Sequence, residues 1–96
     1  MKRNGAQDIA LLYCVSAYPP KYEDIFLETM REMSSIYNCV VGLSDHTLSH
    51  EIAIASIALG ASIIEKHVTL SRADGGADSH FSVEPKELRE LILSID

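Results

Sequence analysis

The sequence predicts an α/β fold built from three consecutive strand–helix units. Three short runs are predicted strands: 9–15 is continuously apolar, as in a strand covered on both faces, 39–43 is a short apolar run, and 62–68 starts with Ser62-Ile63-Ile64. Each run is followed by a segment with helical periodicity. Strands that alternate with helices pair in parallel, because each helix carries the chain back to the same edge of the sheet.

The first unit begins with the run 9–15, which ends at the prolines 19 and 20. Two prolines continue neither a strand ladder nor a helix interior. Helical periodicity starts at Tyr22, with Glu23 and Asp24 placed to interact favourably with the helix dipole. The predicted buried stripe of this helix consists of Phe26, Met30, Met33 and Tyr37.

The second unit contains the strand 39–43 and a helix for which Ser49 is the predicted N-cap and Gly60 the left-handed C-terminal residue. This helix is apolar on most sides, which indicates a buried position. Its predicted stripe consists of Leu48, Ile52, Ala55 and Leu59.

The third unit contains the strand 62–68, a long polar loop at 71–79 and a last helix that starts near Pro85. The predicted buried face of this helix consists of Leu88, Leu91, Ile92 and Ile95. Three parallel strands with helices on one face would leave the other apolar face open. We therefore expect residues 1–96 to be part of a larger (βα) barrel, open at both ends.

Composition and charge exclude several classes of protein. The net charge is −6 and basic residues do not cluster, which argues against nucleic acid or an anionic membrane as the main partner. No apolar run approaches the length of a membrane span, and no export signal follows Met1. Cys14 and Cys39 both fall in predicted strands, and we expect buried, reduced thiols of a cytoplasmic protein.

Polar side chains follow the second and third predicted strands at their carboxyl ends. Ser44 and His46 are two residues apart, and so are Glu65 and His67. Because strand side chains alternate between faces, each pair points the same way, and parallel strands bring both pairs to one edge. The sequence therefore predicts that these four side chains converge on one site.

Two interpretations of the histidines are open at this point. Neighbouring strands lie about 4.8 Å apart, so His46 and His67 can share one divalent ion with positions left for water and substrate. Alternatively, they are hydrogen-bonded histidines with unrelated roles. Spacing alone does not decide between these interpretations.

The other polar residues have similar alternatives. Ser44 is suited to binding phosphate or carboxylate, but helix capping or turn bonding is the more common role of a single serine. Glu65 is suited to binding a substrate hydroxyl or to proton transfer, since an inward carboxylate is costly without a partner. Asp74 and Asp78 fit a solvated loop, Asp45 and Thr47 fit a turn, and His50 and His80 fit the surface; these residues carry no independent signal.

Several segments, taken in order, resemble the sialic acid synthase family. They are Ser16-Ala17-Tyr18-Pro19, Gly42-Leu43-Ser44-Asp45-His46-Thr47-Leu48, Ala58-Leu59-Gly60-Ala61, Ile63-Ile64-Glu65-Lys66-His67, and Asp78 with Ser82-Val83-Glu84-Pro85. The resemblance covers nearly the whole chain and implies strands six to eight of an eight-stranded TIM barrel. Residues 69–76 are more similar to pseudaminic acid synthases than to N-acetylneuraminate synthases.

The resemblance implies that phosphoenolpyruvate condenses with an amino-sugar aldehyde to give a nonulosonic acid and phosphate. It implies that His46 and His67 hold a divalent ion, typically manganese, with magnesium or cobalt as alternatives. It further implies that Ser44 and Ser16 lie at phosphoenolpyruvate. Tyr18, Glu65 and Asp78 match positions at the sugar, and the full-length relatives act as homodimers.

Some features differ from the family pattern. Ala77, Ser49 and His80 replace residues that are common in the family, which leaves the loop conformation and the sugar preference open. The phosphate-binding lysines and the C-terminal domain of the family have no counterpart in these residues. The alternatives to a pseudaminic acid synthase are an N-acetylneuraminate or legionaminic acid synthase, or a truncated, non-catalytic interaction module.

Overall fold

Three parallel strands form one sheet, and three helices alternate with them, as predicted. The computed structural model describes residues 5, 8–15, 21 and 25–95. In chain order the elements are β1 Ala10–Cys14, α1 Glu28–Tyr37, β2 Val40–Asp45, α2 Glu51–Ala58, β3 Ile63–Lys66 and α3 Pro85–Ile95. Two 3-10 turns, Arg72–Asp74 and Ser79–Phe81, lie in the connection between β3 and α3.

The strand β2 is at the centre of the sheet, with β1 and β3 on either side. Leu12 of β1 is the partner of Gly42, and Ile63 of β3 pairs with the same glycine. A side chain at Gly42 would overlap the backbone of Ile63 and the side chain of Leu12. Glycine at this position therefore allows the three strands to approach closely.

The core lies between the sheet and α1. Met30 of α1 is fully buried and packs with Val41 and Leu43 of β2 and with Ala61. Leu11, Leu27, Ile52 and Ile64 are partly buried around this cluster. The alternating apolar residues of the central strand thus anchor the element whose end carries the polar cluster.

The first helix differs from its prediction. It begins at Glu28, because residues 25–27 are not helical, while Tyr22, Glu23 and Asp24 lie outside the described residues. Met30 and Met33 of the predicted stripe face the core, but Phe26 and Tyr37 are mostly exposed. The stripe was predicted too long, since Phe26 precedes the helix and Tyr37 is its exposed last residue.

The second helix was predicted with the wrong cap, and its predicted face is correct only in part, since Ile52 and Leu59 pack against the core. Its N-cap is His50 rather than Ser49, and no side chain caps it. Its fully buried positions are Ala53 and Ser56, whereas Leu48 and Ala55 are exposed. A helix that is apolar on most sides gives no phase from which its buried face can be predicted.

The predicted end of α2 and the predicted start of α3 agree with the structure. Gly60 has φ +102°, in the left-handed region expected after α2, and Pro85 is the first residue of α3. After the long loop the chain returns beside β3, where Val68 and Val83 form a parallel bridge. Leu91 is the buried residue of α3, whereas Ile92 is exposed.

Two further predictions are tested by burial. Cys14 is exposed rather than buried, and Cys39 is half-buried; both are free thiols. His50 is half-buried rather than a surface residue. Within the part of the chain that the structure describes, no helix is long and apolar enough to cross a membrane.

Candidate active site at the carboxyl ends of the second and third strands

The register of the sheet aligns the polar residues of the two strand ends. Ser44 is the Cα partner of Glu65, and Asp45 is the partner of Lys66. Because successive side chains alternate, these two pairs face opposite sides of the sheet. His46 and His67 immediately follow their strands.

The predicted convergence of four side chains is found in the structure. The hydroxyl of Ser44 donates to Oε1 of Glu65 at 2.6 Å, and the rings of His46 and His67 lie with their centroids 5.1 Å apart. Ser44 and His46 are buried, whereas Glu65 is exposed. The cluster therefore combines two buried side chains at the end of β2 with an accessible carboxylate on β3.

Phe81 lies beside both histidines and was not predicted as a site residue. Its ring meets those of His46 and His67 edge-on, with centroids 5.7 and 5.1 Å away, and it is only 5% exposed. His80 contacts Phe81 from the exposed side, with ring centroids 4.9 Å apart. An aromatic residue in a loop gives no sequence signal for this position, which depends on how the loop folds back.

Each histidine also meets a side chain at its Nδ1 atom. The sulfur of Cys14 lies 3.7 Å from Nδ1 of His46, and Oδ2 of Asp78 lies 3.7 Å from Nδ1 of His67. Cys14 is the last residue of β1, and Asp78 belongs to the β3–α3 loop. All three strands and the loop therefore contribute to the cluster.

The pKa of His46 lies below its ordinary value of 6.5. Burial of the ring is the largest cause, and a neighbouring His67 acts in the same direction. The carboxylates of Asp45 and Glu65 oppose this change without reversing it. His46 is thus held in the neutral form near pH 7, and a neutral imidazole can act as a metal ligand.

A second polar network lies on the opposite face of the same strand ends. Lys66 Nζ donates to Oδ2 of Asp45 at 3.0 Å and to the carbonyl of Thr47 at 2.6 Å. Oδ1 of Asp45 accepts the backbone N–H of Thr47 at 2.9 Å and its hydroxyl at 2.7 Å. Asp45 and Thr47 were interpreted as ordinary turn residues. The alternation of strand side chains that places Ser44 beside Glu65 also places Asp45 beside Lys66.

The loop that carries Asp78 is anchored to the start of α3. The Arg72 guanidinium hydrogen-bonds to Glu87, while Glu84 accepts the backbone N–H of Arg72 at 3.1 Å. The hydrogen bond to Glu87 raises the pKa of Arg72, and Arg72 lowers the pKa of Glu87. The carbonyl of Asp78 also accepts the Ser82 hydroxyl at 2.7 Å.

The remaining predicted site residues are Ser16 and Tyr18, which lie outside the described residues. Asp74 is exposed in the first 3-10 turn. The structure therefore brings together Ser44, His46, Glu65, His67 and Asp78. Their chemical roles stay predictions.

The donor set fits a metal ion held by two protein ligands. No group of three or more His, Cys, Asp and Glu residues in the described ranges 8–15 and 25–95 has the geometry to hold an ion. The paired imidazoles supply two nitrogens, and the remaining ligands of such an ion would be substrate oxygens and water. The metal-binding role of His46 and His67 stays a prediction.

A parallel α/β sheet with polar side chains at its carboxyl edge is the arrangement of enzymes that bind small molecules at this edge. The model of the NeuB family matches residues 1–96, and the chain belongs to this family of sialic acid synthases. The chain is 41% identical over 95 residues to the N,N'-diacetyllegionaminic acid synthase of Campylobacter jejuni. It is 42% identical over 88 residues to the pseudaminic acid synthase of Helicobacter pylori.

The structural comparison agrees with the family assignment. The fold superimposes with a TM-score of 0.85 on a solved N-acetylneuraminic acid (sialic acid) synthetase from Leptospira borgpetersenii serovar Hardjo-bovis, at 42% identity. That match covers 90% of this chain, and the two curated relatives match 97% and 92% of it. The chain spans 28% and 26% of those relatives and 30% of the solved protein.

Proposed function

We propose that these residues form the metal-binding part of the active site of a nonulosonic acid synthase. The enzyme would condense phosphoenolpyruvate with an amino-sugar aldehyde to give a nonulosonic acid and phosphate. The observation that carries the proposal is the convergence of the His46–His67 ring pair and the Ser44–Glu65 hydrogen bond at one strand edge. The family match over residues 1–96 supports it.

The sheet belongs, in this proposal, to a TIM barrel of which β1, β2 and β3 are strands six to eight. Their parallel order β1-β2-β3 is the order of consecutive barrel strands. The carboxyl ends of barrel strands line the active site, and the four clustered side chains lie at that end.

His46 and His67 are proposed to hold the divalent ion, which we expect to be Mn²⁺, with Mg²⁺ or Co²⁺ as alternatives. When bound, this ion supplies Lewis-acid polarisation of the aldehyde oxygen. Phe81 excludes water from one side of the ring pair, since it is buried against both imidazoles.

Ser44 and Glu65 act together in this proposal. The Ser44 hydroxyl has one proton, which it donates to Glu65 in the free site, and in this proposal it donates instead to an oxygen of phosphoenolpyruvate when that ligand binds; Ser16 is proposed to lie near the same ligand. The exposed carboxylate of Glu65 binds a sugar hydroxyl or moves its proton. Asp78 and Tyr18 are proposed to contact the sugar.

We propose pseudaminic acid as the product. The support is the similarity of residues 69–76 to pseudaminic acid synthases. Legionaminic acid and N-acetylneuraminate are the alternatives, and the chain is 41% to 42% identical to proteins named for each of the three products. We further propose a homodimer in the cytoplasm, where the free thiols of Cys14 and Cys39 would stay reduced.

The test is phosphate release by the native polypeptide, with Mn²⁺ and phosphoenolpyruvate. Supplying N-acetylmannosamine and, separately, a 2,4-diacetamido-trideoxy hexose decides the sugar. His46→Ala should reduce kcat/KM about 1,000-fold, since Lewis-acid stabilisation is worth several kcal/mol and each 1.36 kcal/mol is tenfold. The matched control is His50→Gln, which replaces a histidine that faces Glu90 rather than the cluster. Undiminished Mn²⁺-dependent release by His46→Ala would contradict the assignment.

The second candidate is a non-catalytic interaction module. It is favoured by large exposed apolar side chains, of which Leu70 and Ile36 are 84% and 72% exposed. This candidate predicts no turnover with either sugar. It also predicts that the sedimentation coefficient changes when a partner covers the exposed apolar side chains. Turnover by the native polypeptide would exclude it.

A further inference from the structure

The Nδ1 atoms of His46 and His67 each face a side chain that can accept a hydrogen bond. Oδ2 of Asp78 lies at one of them, and Sγ of Cys14 lies at the other. A neutral imidazole carries one proton, so the nitrogen that donates determines which nitrogen keeps a lone pair. In metal sites the non-ligating N–H usually has such an acceptor, which sets the tautomer and the ring orientation.

Cys14 reaches His46 from a different strand. It is the Cα partner of Ser44, so its position is set by the β1–β2 register rather than by a flexible loop. The distance of 3.7 Å between Sγ and Nδ1 is within the range for a hydrogen bond that involves sulfur. Cys39, the other thiol, precedes β2 at the opposite end and packs against the core.

We propose that Cys14 is a positioning residue for His46. Its sulfur accepts a hydrogen bond from the Nδ1–H group, so the lone pair of the ring is on Nε2. This inference rests on the proposed metal-binding role of His46. It adds a residue of β1 to a site otherwise built from β2, β3 and the loop.

The direction of the hydrogen bond matters. If the thiol donated to Nδ1, the proton of the neutral ring would be on Nε2, and this nitrogen could not bind a cation. His67 offers a comparison, since Oδ2 of Asp78 lies 3.7 Å from its Nδ1, longer than a hydrogen bond, and a carboxylate oxygen at that place favours a proton on Nδ1 electrostatically. Two rings with the same tautomer would present equivalent nitrogens to one ion.

The experiment combines two measurements on the native polypeptide. Ring ¹⁵N NMR of the metal-free protein reports the tautomer of His46, and titration with Mn²⁺ followed by electron paramagnetic resonance reports the metal Kd. The variants are Cys14→Ala, which removes the acceptor, and Cys14→Ser, which keeps one. Cys39→Ala is the matched control for loss of a thiol.

We expect the Nδ1–H tautomer of His46 in the wild type and in Cys14→Ser. In Cys14→Ala the tautomers should mix, and the Mn²⁺ Kd should rise about tenfold, the lower end for loss of such a partner. Cys14→Ser should restore most of the affinity, and Cys39→Ala should bind as the wild type does. If Cys14 only filled space, Cys14→Ala would leave the tautomer of His46 unchanged even where the affinity falls.

Three results would overturn the proposal: a proton on Nε2 of wild-type His46, an unchanged tautomer and Kd in Cys14→Ala, or an equal loss of affinity in Cys39→Ala. A wild-type protein that binds no Mn²⁺ would instead refute the proposed metal function. In that case the ¹⁵N spectrum still decides whether Cys14 accepts a hydrogen bond from the Nδ1–H group of His46.

Discussion

The two faces of the β2–β3 strand ends carry similar residues in opposite environments. On one face Asp45 and Lys66 form an ion pair whose side chains are 1% and 4% exposed. On the other face Ser44 is bonded to a Glu65 that is exposed, beside two histidines. The residues alternate along the same strands, so the sheet itself separates them.

The difference shows how one pair of strands can both support a site and leave it available. Removing two charges from water is costly, so the Asp45–Lys66 pair is stable only because Thr47 supplies its remaining hydrogen bonds. On the other face the Glu65 carboxylate is accessible to solvent. We infer that the buried network holds the strand ends in register, while the exposed cluster carries the chemistry.

The largest expected effect comes from breaking the buried network. Lys66→Met should lower the free energy of unfolding by about 3–5 kcal/mol, because the Asp45 carboxylate is left buried without its cation. Urea denaturation of the native polypeptide measures this change.

The matched control is Lys86→Met, which removes an exposed lysine of α3. The double variant Asp45→Leu/Lys66→Met should be less destabilised than Lys66→Met alone, since no uncompensated charge remains. A Lys66→Met protein as stable as Lys86→Met would show that the network does not stabilise the strand ends.

The open cluster should respond in the opposite way. Glu65→Gln retains an acceptor for the Ser44 hydroxyl but removes the charge that we propose binds the sugar. We expect kcat/KM to fall about 10- to 100-fold, the value of a hydrogen bond to a charged group, with unfolding unchanged. Phosphate release and urea denaturation measure the two quantities on one preparation.

Glu51→Gln, at an exposed glutamate of α2, is the control for Glu65→Gln. It should leave activity unchanged and lower the free energy of unfolding by about 0.3–1 kcal/mol, because Glu51 lies in the first turn of α2 and interacts with the helix dipole. If Glu65→Gln destabilised the protein as much as Lys66→Met, the two faces would not differ in kind.

Much of this arrangement could be predicted from the sequence. The alternation of strands and helices predicts the parallel sheet, and the spacing of two residues within Ser44/His46 and within Glu65/His67 predicts that these four side chains converge. Asp45 and Lys66 each follow a member of this cluster by one residue, so they share the opposite face. That pair was missed because aspartate is common in turns, and burial is not visible in a single residue type.

Other features depend on packing between distant segments. The contact of Cys14 with His46 requires the β1–β2 register, and the position of Phe81 requires the folded β3–α3 loop. The buried face of α2 could not be predicted, since nearly every side of that helix is apolar. Local sequence patterns predict which side chains of a strand share a face, but not which strands, helices and loops contact one another.

The smallest expected effect tests whether burial, rather than charge pairing, distinguishes the two faces. Glu87 pairs with Arg72 near the surface, and hydrogen bonds from Arg72 and from the backbone of Glu84 hold its pKa below the ordinary 4.5. A carboxylate with a lowered folded pKa stabilises the protein fully above pH 4.5, and this contribution is lost as the pH falls through the folded pKa.

Glu87→Gln should therefore lower the urea midpoint slightly at neutral pH, and the difference from the wild type should shrink below pH 4.5. Added salt should reduce it further, as for exposed pairs, whereas the loss caused by Lys66→Met should persist in salt. Urea midpoints measured against pH, with Glu32→Gln of α1 as the control, test this expectation. A Glu87→Gln deficit as large as that of Lys66→Met and independent of salt would mean that pairing alone accounts for the stability. Burial would then not be what separates the supporting face from the exposed one.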